Sequence, residues 1–132
     1  MTDNRQLDIE IATEIFGWTD IATKRLRDRE FAVGIVPKTT QNKFVPYYST
    51  LIEDAWLIID KVKQLGLAAG ISWWKDSWMA CIGKHDDPFN WRWWKSNTAE
   101  EAICRCILKA HRDGLLDFDT TGCETVTEPL KA

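Results

Sequence analysis

The side chains able to do chemistry are few and scattered. Cys81, His85, Asp86 and Asp87 fall close together, a donor set that a divalent cation could use. They include no C-x-x-C pair, and one thiol, one imidazole and two adjacent carboxylates match no common site. Cys104 and Cys106 stand two apart in a stretch of helical period, so their side chains diverge by about 200° and cannot clasp one ion. Each cysteine, Cys123 included, therefore reads as a small apolar residue. Asp86 and Asp87 resemble an acid/base pair in composition only, because neighbours in a turn usually face water. His111, the other histidine, falls at a helix C-terminus, where an imidazolium interacts favourably with the dipole. There is no G-x-S-x-G elbow and no glycine loop for phosphate. The expectation is a protein without catalytic residues, metal or cofactor, and not an enzyme.

Binding chemistry is better represented. Lys24, Arg25, Arg27 and Arg29 form a basic cluster, partly offset by Asp28 and Glu30. A solvated helix face explains it; the functional alternative is a docking patch for an acidic partner or a phosphate. Six of the eight tryptophans lie between Trp73 and Trp94. A buried indole removes roughly 150–250 Å² from water, and six exposed ones would exceed the apolar patch a monomer usually shows. Most are expected under cover, with Trp73, Trp78, Trp91 and Trp93 on one sheet face beneath helices. Alternation puts Trp74 and Trp94 on the other face. With Tyr47, Tyr48 and the nearby Arg92 they make a candidate aromatic pocket for a flat anion or a single strand of nucleic acid.

These groups need elements to hold them. Leu7, Ile11 and Ile15 recur at helical spacing, with Ala12 and Phe16 widening the stripe, so residues 5–16 form a helix that Gly17 stops. Residues 19–30 are charged and carry no decisive period. Residues 37–48, with two prolines, read as a long loop. A helix over about 49–65 starts with Thr50 and Glu53 at capping-box spacing and shows Ile52, Ala55, Trp56, Ile59 and Val62 on one face. Residues 67–75 and 77–84 pair as a hairpin around Lys75-Asp76, setting Trp73 opposite Trp78 and Ile71 opposite Ala80. HDDPFN, 85–90, is turn chemistry, and 91–95 a third strand. A last helix over about 98–112 repeats the capping box at Thr98 and Glu101, and buries Ala102, Ile103, Cys106, Ile107 and Ala110.

The 132 residues suffice for one domain, expected over 1–114, with a polar tail from 115 to 132. A net charge of −3 disfavours nucleic acid as the main partner. No apolar run is long enough to span a membrane, and the N-terminus lacks a signal-peptide pattern. The expected location is the cytoplasm, with reduced thiols.

Several segments in order carry a resemblance: GW at 17–18, VPYYST at 45–50, AW at 55–56, WMACI at 78–82 and NTAEEAICRCILKA at 97–110. Together they resemble the phage ABA sandwich domain family, small proteins of phages and prophages with no established activity. The likeness covers most of residues 10–112. It departs at Leu51, where the family pattern VPxYSTD has an acidic residue, and at Glu100-Glu101, where TAPLAICRAAL has proline and leucine. It implies an alpha/beta sandwich and a phage or prophage origin, and no catalytic residue to carry over. The expected fold class is α+β, a layered alpha/beta sandwich with a short antiparallel sheet of about three or four strands and three main helices. The leading functional expectation is a non-enzymatic protein of the bacterial cytoplasm that binds a host or phage protein or assembles with itself. The alternatives are a nucleotide-type ligand in the aromatic pocket and single-stranded nucleic acid.

Overall fold

The computed structural model describes residues 3–116, the side chains of residues 26, 88 and 89 excepted; of the predicted tail, Leu115 and Leu116 are described, with Leu116 buried in the core, and the rest, Cys123 included, lies outside that range. The chain forms α1 (Asp3–Glu10), β1 (Thr19–Leu26), β2 (Arg29–Ile35), β3 (Asn42–Phe44), α2 (Ile52–Gln64), β4 (Ala68–Trp74), β5 (Ser77–Lys84), β6 (Asp87–Ser96) and α3 (Ala99–Arg112). Two antiparallel three-stranded sheets result, ordered β1-β2-β3 and β4-β5-β6. The α+β sandwich expectation holds, but with two sheets where one was expected. The second comes from the charged segment and the presumed loop.

Helix α3 is the centre. It packs on β5 and β6 on one side and meets α1 and α2 on others. That is why its buried residues, Ala102, Ile103, Cys104, Cys106, Ile107, Leu108 and Ala110, run around most of its circumference rather than along one stripe. Cys104 and Cys106 diverge as helical geometry requires. Cys106 donates to the Arg92 carbonyl at 3.3 Å, on the β6 side, while Cys104 feels the Asp8 carboxylate on α1. Burial pushes both thiols up, Cys106 to about 12. Thr98 caps α3, its hydroxyl accepting from the Glu101 N–H at 3.2 Å, so the N-cap half of the second capping box forms, while the Glu101 carboxylate accepts from Arg105 at 2.8 Å.

Helix α1 continues into a π-helical turn over Ile11–Ile15 and packs against α3 and β2. The stripe read from the sequence, Leu7, Ile11, Ala12 and Ile15, is buried. Gly17, at φ +74°, ends the helix and lets the Trp18 N–H reach back to the Ala12 carbonyl at 2.9 Å. On α2 the buried stripe is Ala55, Ile58 and Val62. Ile52 and Trp56, expected in it, are 45% and 48% exposed, because α2 packs chiefly on α3 and β4 through its Ala55, Ile58 and Val62 side. The first capping box does not form. The helix begins one residue later than that pairing needs, with Leu51 as N-cap and no side-chain cap bond.

The β4–β5 hairpin has the expected register, Trp73 with Trp78 and Ile71 with Ala80. Strand β6 begins at Asp87, opposite Lys84, so the turn is only His85-Asp86. Its first residues include Pro88, which β6 tolerates because it is an edge strand.

Candidate functional site

Register decides what the second sheet shows on each face. Ile82 pairs with both Ala69 and Arg92, and Ala80 with both Ile71 and Trp94. Since Ala80 and Ile82 belong to the core, Arg92 and Trp94 share the helix face. Trp91, Trp93 and Lys95 then point outward with Met79, Cys81, Ser72, Gly70 and Trp74. The expectation that Trp73, Trp78, Trp91 and Trp93 line one covered face is therefore corrected. Trp73 and Trp78 do share the helix face and meet edge to face at 5.4 Å, yet Trp73 remains 56% exposed. Trp91 and Trp93 stand on the opposite face. Trp74 and Trp94, expected together, are separated by the thickness of the sheet.

No described element covers the outer face of β4–β6. Trp74 and Trp93 are 54% and 55% exposed there. Trp91 lies down on the sheet: a Cβ added at Gly83 would come within 2.4 Å of its Cγ, and its indole N–H donates to the Lys84 carbonyl at 3.1 Å. Trp93 stands next to it, ring centroids 6.5 Å apart. The surface is lopsided along most of its length: Trp91 and Trp93 sit on β6, while β4 offers Ala68, Gly70 and Ser72 before it ends in Trp74.

The first sheet builds a different site. Asp8 on α1 is fully buried and accepts from Arg5 at 2.6 Å and from the Ser49 N–H at 2.7 Å. Arg5 also donates to the carbonyls of Val45 and Pro46 and stacks over the Tyr47 ring at 4.1 Å. Ser49 donates its hydroxyl to the Asn4 carbonyl. The VPYYST segment is thus clasped to α1 by charge-assisted bonds. Burial pushes the Asp8 carboxyl up; the Ser49 N–H and Arg5 pull the other way. Tyr48, expected in a pocket, is instead a core residue, 2% exposed and stacked on Phe16 at 5.3 Å. Its hydroxyl is pushed well above the usual range, chiefly by burial.

Tyr47, by contrast, lines a cleft of about 720 Å³ with Arg5, Arg25, Asp28, Arg29, Thr50 and Leu51. The basic cluster is a hairpin rather than a helix face: Lys24 and Arg25 end β1, Arg27 sits in the turn at φ +58°, and Arg29 opens β2. Because Arg25 pairs with Glu30 and Lys24 with Phe31, Arg25 faces the cleft while Lys24 faces away. The structure thus brings Tyr47 to Arg25 and Arg29, two groups that sequence reasoning kept apart. Arg92 and Trp94 form a third locality against α3, where Arg92 is held by Asp113 at 2.8 Å and Trp94 lies near Arg105, Leu108 and Lys109. The five aromatic-pocket candidates therefore do not converge.

Among the described residues no three of histidine, cysteine, aspartate and glutamate gather as a cation's ligands, and no helix is long and apolar enough to cross a membrane. No curated protein and no solved structure matches the chain. One family does, the Phage ABA sandwich domain, over residues 10–106. That span runs from the end of α1 into α3 and holds the clasped segment, both sheets and the central hairpin, so the chain belongs to the phage ABA sandwich domain family.

Proposed function

We propose that this phage-type domain is a non-enzymatic assembly protein of the bacterial cytoplasm, and that it pairs with a second copy of itself through the outer face of β4–β6. One observation carries the reading. On that face β6 carries Trp91 and Trp93, while β4 carries Ala68, Gly70 and Ser72 opposite them and ends in Trp74, with Trp74 and Trp93 more than half exposed.

Such a surface is complementary to itself about one axis. A two-fold axis running along β5, in the plane between two stacked sheets, lays the β6 of one copy over the β4 of the other. Trp93 shares a row with Cys81 and Gly70, and Gly83 pairs with Ala68 beside Trp91. The partner copy's Trp93 then sits over Gly70, and its Trp91 over Ala68. Aligned sheets pack about 10 Å apart, a gap that an indole facing a glycine can fill. A two-fold axis across the strands would instead stack tryptophan on tryptophan. The face rests on three indoles and small neighbours, a small interface beside the ~800 Å² per partner of a standard one, and the association expected of it is reversible, on the order of micromolar.

The axis makes a specific prediction. Lys95, Met79 and Ser72 form the next row, which puts each Lys95 over the partner's Ser72. Ser72→Glu should strengthen association and Ser72→Lys weaken it, each severalfold, read by light scattering at several concentrations. Equal effects of both charges, or none, would defeat the proposed pairing. The basic cluster belongs to the first sheet, away from Trp74, Trp91 and Trp93, and this argues against one nucleic-acid surface built from both.

A further inference from the structure

We propose that the cleft between the β1–β2 hairpin and the start of α2 binds a small phosphate monoester. Arg25 and Arg29 would hold the phosphate, and Asp28, Glu30 and Tyr47 would receive the rest of the molecule.

The cleft, about 720 Å³, falls in the range of small-molecule sites. Arg5 is already committed to Asp8, Val45, Pro46 and the Tyr47 ring, so its part is to fix the wall. Arg25 and Arg29 differ: neither forms an ion pair or a side-chain hydrogen bond with another described residue. Both approach from a two-residue turn, Arg27-Asp28, that bends the strand ends toward Thr50 and Leu51. Arg25 enters the cleft beside Glu30, while alternation sets Arg29 on the Phe31 side, so it reaches the cleft around the rim of the hairpin end; the two guanidiniums would hold a doubly charged tetrahedral anion from two sides. The opposite wall adds to this. Thr50 offers a hydroxyl, and α2 begins beside it at Leu51; the Asp54 carboxylate of its first turn accepts from the Tyr47 N–H and, with Glu53, offsets the helix dipole there.

Asp28 and Glu30 also line the cleft and fix the ligand's class. Two carboxylates beside the arginines disfavour a polyanion and favour a molecule that carries one phosphate together with hydroxyl or amine donors. Tyr47 gives that second part a ring to lie against. A nucleoside monophosphate has this chemistry; a bare phosphate has half of it. The site stands apart from the outer face of the second sheet, so the self-pairing proposed above does not bear on it.

The test is a titration of the full chain followed by its amide resonances, with adenosine 5′-monophosphate, inorganic phosphate and adenosine as probes. The monophosphate should shift Thr50, Leu51 and Ile52, and bind more tightly than phosphate. Adenosine should bind more weakly than either. Arg25→Gln with Arg29→Gln should weaken the monophosphate by roughly tenfold or more. Lys24→Gln, on the opposite side of β1, should leave it unchanged. No saturable shift below about 10 mM, adenosine binding as well as its monophosphate, a monophosphate no tighter than phosphate, or an affinity untouched by the double substitution would each overturn the proposal.

Discussion

The two sheets lean on the same helical layer by different means. The β4–β6 sheet meets α3 through apolar side chains: Ala69, Ile71, Ala80 and Ile82 against Ile103, Cys106 and Ile107. The β1–β3 sheet has Ala32 in the core and little else that is both large and buried on its strands. What ties its end of the molecule down is the Arg5–Asp8–Ser49 clasp just beyond β3, with Val45 bonding back to the Ala32 carbonyl at 2.8 Å. One joint is a greasy contact of ordinary kind. The other is a buried polar network, which is strong only while every member is satisfied.

The sharpest way to break that contrast is at Asp8. Asp8→Ala leaves the Arg5 guanidinium in a buried site without its carboxylate, and should cost about 3–5 kcal/mol in chemical denaturation. Exchange protection should be lost in β1–β3 before β4–β6. At the apolar joint, Ile82→Ala should cost about 2–4 kcal/mol by opening a cavity against α3, with protection falling first in β4–β6. If both substitutions unfasten the same sheet, the two joints are one.

Smaller effects sharpen the picture. Gly83→Ala should cost about 1–3 kcal/mol, since the added methyl meets the Trp91 ring. The blue edge of tryptophan emission should move as that indole lifts. Arg112 of α3 ties the helical layer together, holding Glu14 at 2.6 Å and Glu10 at 2.7 Å. Those bonds keep the Glu14 carboxyl below its usual range. A lowered carboxyl contributes stability that is present above the ordinary glutamate range and is lost as pH falls through the lowered value. Glu14→Gln should therefore narrow the stability difference between neutral and acid pH by a few tenths of a kcal/mol to ~1 kcal/mol, seen in urea midpoints at neutral and acid pH. Arg27→Gly should add about 0.5–1 kcal/mol to thermal stability, because the turn holds a Cβ-bearing residue at φ +58°.

The same contrast explains what could be read in advance. The β4–β5 hairpin announced itself because its alternation and its two-residue turn agreed, down to Trp73 opposite Trp78. The helices α1 and α3 were legible from buried stripes and, for α3, from the Thr98 cap. The β1–β2 hairpin uses a turn of the same length with the same positive φ at a basic residue, Arg27 as against Lys75. No glycine or asparagine marks it, and charges on both faces mask its period. Residues 45–49 are a loop, as their sequence indicates, but their clasp to α1 leaves no mark in the sequence because its bonds are polar and join residues some 40 apart. At the sites, exposure of Trp91 and Trp93 was missed for one reason. The β5–β6 turn is His85-Asp86 rather than the whole of 85–90, a run of turn formers does not fix the register across it, and register alone decides which face a tryptophan takes. The meeting of Tyr47 with Arg25 and Arg29 left no local signal, since it depends on how α1 docks against both.

The outer face of β4–β6 is the centre of this account, and sedimentation of the intact chain at rising concentration, with Trp93→Lys beside it, tests it most directly. The mass should climb from 15.3 kDa toward twice that value through the micromolar range, and the variant should stay at the lower mass. A wild-type mass that holds at the single-chain value up to about 0.5 mM, or a variant that pairs as readily, would contradict it.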